Sequence, residues 1–275
     1  LNSFPPNSSL RLSEPSPAIE TICPDHGLFL SKVIEGPFEE TIRSKCPKCA
    51  EARQAQEEFL QKREQLAFRR RRATEILSAS DIPARYRDKG FEDYLTCGSD
   101  QKVVHAVCKA YAEEWLVTLA KGGSLVLIGR PGSGKTHLST AIASFVAKNY
   151  LAEVVYGVTH AVLRDIKSTY SRESPRSEKT VMDRLRRADL LVLDEVGVQT
   201  GSEHERLLIF DLLNERYQEL KPTILVSNLN MGLLTKFVGE RIMDRYRECA
   251  NVLSFDWDSY RGQGALRSER ELDKK

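Results

Sequence analysis

The chain of 275 residues is poor in methionine, with three, in tryptophan, with two, and in cysteine, with six. It has no long apolar run. The longest, SLVLIG at 124–129, is the length of a strand and far short of the roughly 18 residues needed to cross a bilayer. The opening LNSFPPNSSLRLSEPSP lacks the apolar stretch of a secretory signal. The sequence begins at Leu1, so a start methionine is expected to have been trimmed or to lie outside it. Without a signal, the expected compartment is the reducing cytoplasm, where grouped cysteines bind metal rather than form disulfides. An excess of one charge is also missing: 41 Lys and Arg face 39 Asp and Glu, for a formal net charge of +2. Binding to nucleic acid would therefore rest on local patches. There is no internal repeat. What is present, 41% hydrophobic and 29% charged residues, is the composition of a globular protein with a real core. The length suits one medium domain and a small accessory region.

Residues 1–20 are rich in Ser, Pro and Asn and read as a disordered tail, as does 266–275. Residues 50–78 have helical composition. Ala52, Ala55, Phe59, Leu66, Ala73 and Ile76 follow a three–four spacing that Lys62 and Arg69 interrupt. This partial seam suits either a partner helix or a helix lying along its own domain. The proline of DIP at 81–83 ends that helix. A second helix is expected over about 101–120. Strands then alternate with helices: SLVLIG, EVVYGV, DLLVLDE, TILVSN and NVLSFDW. The expectation is an α/β fold whose parallel sheet lies between helices, preceded by a small cysteine-containing region. Domain bounds are expected at 21–78 and 79–265.

GRPGSGKT at 129–136 has the spacing of a phosphate-binding loop, and it follows an apolar strand and opens a helix, as such a loop must. Glycines let backbone amides turn toward phosphates, and the helix N-terminus favours the same anion. Gly129, Pro131, Gly132, Ser133, Gly134, Lys135, Thr136 and His137 form the expected nucleotide cradle. Lys135 can reach the β- and γ-phosphates, and Thr136 can take a Mg²⁺ position. DLLVLDE ends in two carboxylates: Asp194 for the Mg²⁺ shell and Glu195 to accept a proton from attacking water. Asn228, at the end of TILVSN, could orient that water or simply start a turn.

The order of the loop, LLVLDE, SNLN and GERIMDRYR resembles the AAA+ ATPases. IPARYRDKGFEDY (82–94), VSNLNMGLLTKFVGERIMDR (226–245) and FDWDSYR (255–261) are more narrowly similar to the DnaC family of bacterial and phage helicase loaders. The similarity covers about 80–262 and implies a single AAA+ core without a separate helical lid domain. It implies that Arg245 is an arginine finger reaching the γ-phosphate of a neighbouring subunit, with Arg241 four residues earlier a second candidate. It implies that Arg261 contacts nucleotide within its own subunit. It also implies single-stranded DNA and a DnaB-type hexameric replicative helicase as partners, together with self-association. In RDIKSTYSRESPR (164–176) it marks Lys167, Tyr170 and Arg172 as DNA-binding candidates, since cations follow the backbone and aromatics stack on bases. A solvated loop is the plainer reading of that stretch.

Cys23-x-x-His26 and Cys46-x-x-Cys49 are two chelating pairs with residues 27–45 between them. Such pairs complete a tetrahedral Zn²⁺ site with no open position, hence a structural one. DnaC proteins commonly begin with a helical helicase-binding region and no metal knuckle, so here 21–78 is expected to be a zinc knuckle plus helix that docks on the helicase. Arg69–Arg72 is either a DNA contact or a solvated helix face. Cys97, Cys108 and Cys249 have no ligand spacing. The leading expectation is thus an ATPase that loads a helicase. The alternatives are an IstB-like transposition helper acting on duplex DNA, and a zinc-dependent adaptor in which ATP is only a binding switch.

Overall fold

The computed structural model describes residues 18–35, 41–171, 175–198 and 202–260. The expectations for Arg172, Arg261 and residues 1–17 and 266–275 fall outside them. The chain divides into two compact units, 1–67 and 68–275.

In the first unit, strands β1 (Ala18–Cys23), β2 (Gly27–Glu35) and β3 (Thr41–Arg43) form an antiparallel sheet in that order. Residues 18–20, expected in the tail, are therefore strand: Ala18 pairs with Lys32 and Glu20 with Leu30. The alternation of β1 and β2 buries Cys23 and Ser31 and leaves Ile22, Leu28 and Leu30 exposed on the opposite face. The Ser31 hydroxyl donates to the Ser44 carbonyl at 2.8 Å and ties β2 to the segment after β3.

Helix α1 (Pro47–Ala79) begins in this unit and ends in the second. The boundary lies inside α1 rather than at 78/79, because Ala73 and Ile76 are buried and Ile76 belongs to the core of the second unit. Phe59 and Leu66, earlier on the same seam, are exposed.

The second unit holds a five-stranded sheet of order β5-β6-β7-β4-β8, with every pair parallel. Its strands are β4 (Ser124–Gly129), β5 (Val154–Val158), β6 (Leu190–Asp194), β7 (Thr223–Ser227) and β8 (Ala250–Phe255). The inner strands are apolar in their middle residues because both faces are covered, with polar residues only at their ends. Leu125, Leu127, Val192 and Val226 face one core with α3 (Ser99–Glu113) and α5 (Lys135–Tyr150). Val126, Leu191, Leu193 and Leu225 face the other, with α6 (Thr159–Ser168), α7 (Glu178–Arg187), α8 (Glu203–Gln218), α9 (Met231–Val238) and α10 (Glu240–Cys249). The short α2 (Ala84–Arg87) follows Pro83. The single helix expected over 101–120 is two, α3 and α4 (Trp115–Lys121), broken at Glu114 so that Trp115 and Tyr111 both turn inward.

Arg216 of α8 is 1% exposed. Its guanidinium donates to the carbonyls of Leu185, Arg186, Ala188 and Pro222 and to the Thr223 hydroxyl, at 2.6–2.9 Å. Burial lowers its pKa to about 10, so it stays charged and joins the end of α7 to the start of β7. No helix among the described residues is long and apolar enough to cross a membrane.

Candidate nucleotide site and cysteine cluster

The carboxyl ends of β4, β6 and β7 lie side by side, at the sheet edge where open parallel sheets bind ligands. β4 runs directly into the glycine loop. Gly134 adopts φ 98°, and a Cβ there would strike the Tyr94 ring. At Gly129, φ 129°, a Cβ would strike the Phe255 carbonyl of β8. Both positions thus need glycine for backbone shape and for close approach. The Tyr94 hydroxyl and the Trp257 indole N–H both donate to the Ser133 carbonyl, at 3.1 and 2.8 Å. Tyr260 N donates to Gly132 O at 3.0 Å, and Arg130 pairs with Asp258 at 3.0 Å. The segment after β8 therefore lies along the loop. His137 Nε2 is 2.9 Å from the Gly90 carbonyl, and its ring meets Tyr94 edge-on.

Lys135 is 5% exposed and donates to the carbonyls of Gly129 and Arg130 at 2.8 and 2.7 Å. The Thr136 hydroxyl donates to Asp194 Oδ2 at 2.8 Å. That separation is close to the ~2.9 Å edge of an octahedron with Mg–O bonds of about 2.0–2.1 Å, and both donors are the hard oxygens that Mg²⁺ takes. The pair fits the cation. Glu195 follows at φ 55°, unusual for a residue with a Cβ, and its N–H donates to Asp194 Oδ1 at 2.7 Å. Its carboxylate is 3.6 Å from His160 Nδ1. Asn228 is exposed one residue past β7, which lies between β4 and β6.

Other candidates lie apart from this group. Arg241 is exposed on α10, and Arg245, one turn on, has its guanidinium 5.6 Å above the Tyr217 ring. Tyr217 in turn donates to Glu248 at 2.7 Å. On α6, Lys167 pairs with Glu205 at 2.7 Å, and Arg176 pairs with Asp165 at 2.6 Å. Tyr170, 51% exposed, has its hydroxyl 2.8 Å from His204 Nε2. Two of the cations read from 164–176 are thus paired with acids, Lys167 with Glu205 of α8 and Arg176 with Asp165 of the same stretch.

Two residues at the nucleotide site carry no motif of their own. Tyr156 donates to Asp194 Oδ2 at 2.7 Å, and His160 approaches Glu195. Tyr156 pairs with Val192 across β5 and β6, which sets it diagonal to Asp194 on one face. Only the strand register could have found it.

In the first unit, Cys23 and His26 flank the β1–β2 turn, where Gly27 takes φ 76°. Cys46 and Cys49 flank the start of α1, whose N-terminus favours thiolate. All four ligand atoms lie within 4.8 Å of one another. His26 Nδ1 is 3.7, 3.8 and 3.2 Å from the sulfurs of Cys23, Cys46 and Cys49, and Cys23 Sγ is 3.4 Å from Cys49 Sγ. These spacings are close to the ~3.5–3.8 Å edges of a tetrahedron with Zn–S about 2.3 Å and Zn–N about 2.0 Å. The Asp25 backbone and the His26 ring hold the Cys23 thiol down at about 6, while the Cys23 sulfur pushes Cys49 up to about 11.

The family model for IstB-like ATP binding proteins matches residues 38–268. The replicative helicase loader DnaC of Buchnera aphidicola subsp. Schizaphis graminum is 33% identical over 187 residues, covering 68% of this chain and 74% of that one. DnaC of Escherichia coli K12 is 34% identical over 185 residues, 67% of this chain and 74% of that one. A crystal structure of the DnaC helicase loader superposes with a TM-score of 0.56 at 22% identity, covering 62% of this chain and 99% of that one, which supports the AAA+ fold. With the phosphate loop and the strand-end acids meeting as they do in such a core, the chain belongs to the IstB-like ATP-binding proteins and, within them, to the DnaC family.

Proposed function

We propose that this chain is an ATP-controlled loader that delivers a DnaB-type hexameric replicative helicase to single-stranded DNA in the cytoplasm. The joining of Thr136 to Asp194, in a chain whose relatives are named replicative helicase loaders, carries this reading. ATP sits with its phosphates in the 129–136 loop, and Lys135 exchanges loop carbonyls for phosphate oxygens. Thr136 and Asp194 would hold Mg²⁺, which when bound would supply charge neutralisation at the transferring phosphoryl group. Glu195 accepts the proton of the attacking water, and Asn228 orients that water. Pro131, Gly132, Ser133 and His137 shape the cradle, and Arg261 contacts the nucleotide of its own subunit. Arg245, with Arg241 on the same face of α10, serves the γ-phosphate of a neighbouring subunit. Hydrolysis is then slow in the monomer and couples to self-association.

Single-stranded DNA binds along α6 and the segment after it. Lys167 must leave Glu205 to meet a phosphate, so Tyr170 stacking, with Arg172, supplies most of the grip. Zn²⁺ on Cys23, His26, Cys46 and Cys49 has a closed ligand set. Bound there, it would hold the β1–β2 turn to the start of α1, within residues 21–78 as the helicase-docking region.

The deciding experiment is size-exclusion chromatography with light scattering of the full chain mixed with a DnaB-type helicase, ATP and single-stranded DNA, alongside Lys135→Ala. Co-elution with nucleotide-dependent retention of DNA is expected, and Lys135→Ala should lose that dependence. The family model's description favours a second reading, an IstB-like transposition helper. No helicase complex, with ATP-dependent filaments on duplex DNA instead, would select it.

A further inference from the structure

We infer that Tyr156 is a positioning residue for the cation site, bracing the Asp194 carboxylate so that Asp194 and Thr136 can share Mg²⁺. This rests on the nucleotide reading above. Asp194 accepts three hydrogen bonds: from Thr136 at 2.8 Å and Tyr156 at 2.7 Å on Oδ2, and from the Glu195 amide at 2.7 Å on Oδ1. Thr136 belongs to the phosphate loop and is itself offered to the cation. The Glu195 amide is on Asp194's own strand end and moves with it. Tyr156 alone among the three comes from a different strand, so it alone can hold the carboxylate plane against an outside frame.

That frame is stiff. Tyr156 is 5% exposed. Its backbone is held on both sides: β6 pairs it with Val192, and its N–H donates to the Ser80 carbonyl at 2.7 Å. Ser80 is itself fully buried, just past the end of α1. With its backbone fixed in this way, the phenol can direct its O–H at Asp194 Oδ2, the 2.7 Å bond that the structure shows. A phenol fixed in this way acts like the outer partners of metal-ligating carboxylates, whose loss commonly weakens metal affinity about 10- to 100-fold.

The test is a titration of the full chain with a fluorescent ATP analogue, first in EDTA and then over graded Mg²⁺, for wild type and Tyr156→Phe. Tyr111→Phe is the control, since it removes another buried phenol, bonded to the Gly123 carbonyl and away from Asp194. Tyr156→Phe is expected to bind nucleotide in EDTA as wild type does, yet to need at least about 10-fold more Mg²⁺ for the half-maximal effect. Tyr111→Phe should match wild type in both. Equal Mg²⁺ dependence in wild type and Tyr156→Phe, an equal shift in the control, or loss of binding even in EDTA would each overturn the assignment. If Tyr156→Phe does not fold, Tyr156→Leu serves; failure of both to fold would assign the phenol to the core and overturn it too. A wild-type chain that binds nucleotide with no response to Mg²⁺ would instead sink the reading of Thr136 and Asp194.

Discussion

Asp194 and Glu195 are neighbours in sequence with different surroundings. Asp194 is 5% exposed and held by three donors, whereas Glu195 is partly exposed and points to His160. In the proposed mechanism this difference separates a cation ligand from a base. Glu195→Gln keeps the shape and removes the basic oxygen. It should bind ATP as wild type does and lose about 10²–10⁴-fold in steady-state phosphate release. A variant with undiminished turnover would remove Glu195 from the mechanism. Arg216 shows a different use of charge at this scale. Its five acceptors include four carbonyls, so Arg216→Met takes a donor from each and leaves the Pro222 carbonyl with only the Leu191 N–H, at 3.2 Å. Urea denaturation should show a loss of at least about 3 kcal/mol, because each stranded buried acceptor costs roughly 1–3 kcal/mol. A change below about 1 kcal/mol would mean that water or a shifted α7 takes over its role.

At the scale of elements, the β1–β2 turn and the start of α1 bring together four side chains that have metal-ligand chemistry. A sheet of this size with Ile22, Leu28 and Leu30 exposed has little core of its own, so the cation should supply much of its folding energy. Purified wild-type chain should contain one zinc per chain by atomic absorption, and Cys46→Ser together with Cys49→Ser should contain none. In the zinc-free chain, residues 18–46 should become readily cleaved by protease while the 68–275 unit keeps its cooperative melt. Full zinc content in the double variant would place the metal elsewhere. On α6, Tyr170→Ala should weaken single-stranded DNA binding by about 1–3 kcal/mol, roughly 5- to 150-fold, as measured by fluorescence anisotropy. Because Lys167 is paired with Glu205, Lys167→Ala should cost less than Tyr170→Ala. The reverse order would shift the DNA reading from stacking to charge.

For the molecule as a whole, the division at 67/68 separates the cysteine cluster from the nucleotide loop. Removing residues 1–78 should therefore abolish co-elution with the helicase and leave nucleotide affinity within about twofold. This cut also removes Ala73 and Ile76 from the core. Removing only 1–67 gives the cleaner comparison and should behave alike. Retained co-elution by both would move the docking surface into the ATPase unit.

Sequence alone determined the alternating strands and helices of the second unit and the chemistry that is local, though not the three-stranded sheet of the first unit or the break at Glu114. The spacing of GRPGSGKT, the apolar run before it and the acids ending DLLVLDE require only a strand, a turn and a helix start, which neighbouring residues decide. The two cysteine pairs were legible for the same reason: each chelating pair closes within four residues. The tertiary structure decided what lies between distant segments. Tyr156 reaches Asp194 only because β5 pairs with β6 in one particular register, and a one-residue slip would turn it to the other face. Lys167 and Arg176 look like free cations in the sequence, but Glu205 and Asp165 neutralise them after folding. Arg216 reads as one more charge on a helix until the chain folds four carbonyls around it. Periodicity and short motifs record what a residue does with its neighbours in the chain; the partners of a buried hydroxyl or guanidinium are set by which strands and helices pack together, and no local pattern encodes that.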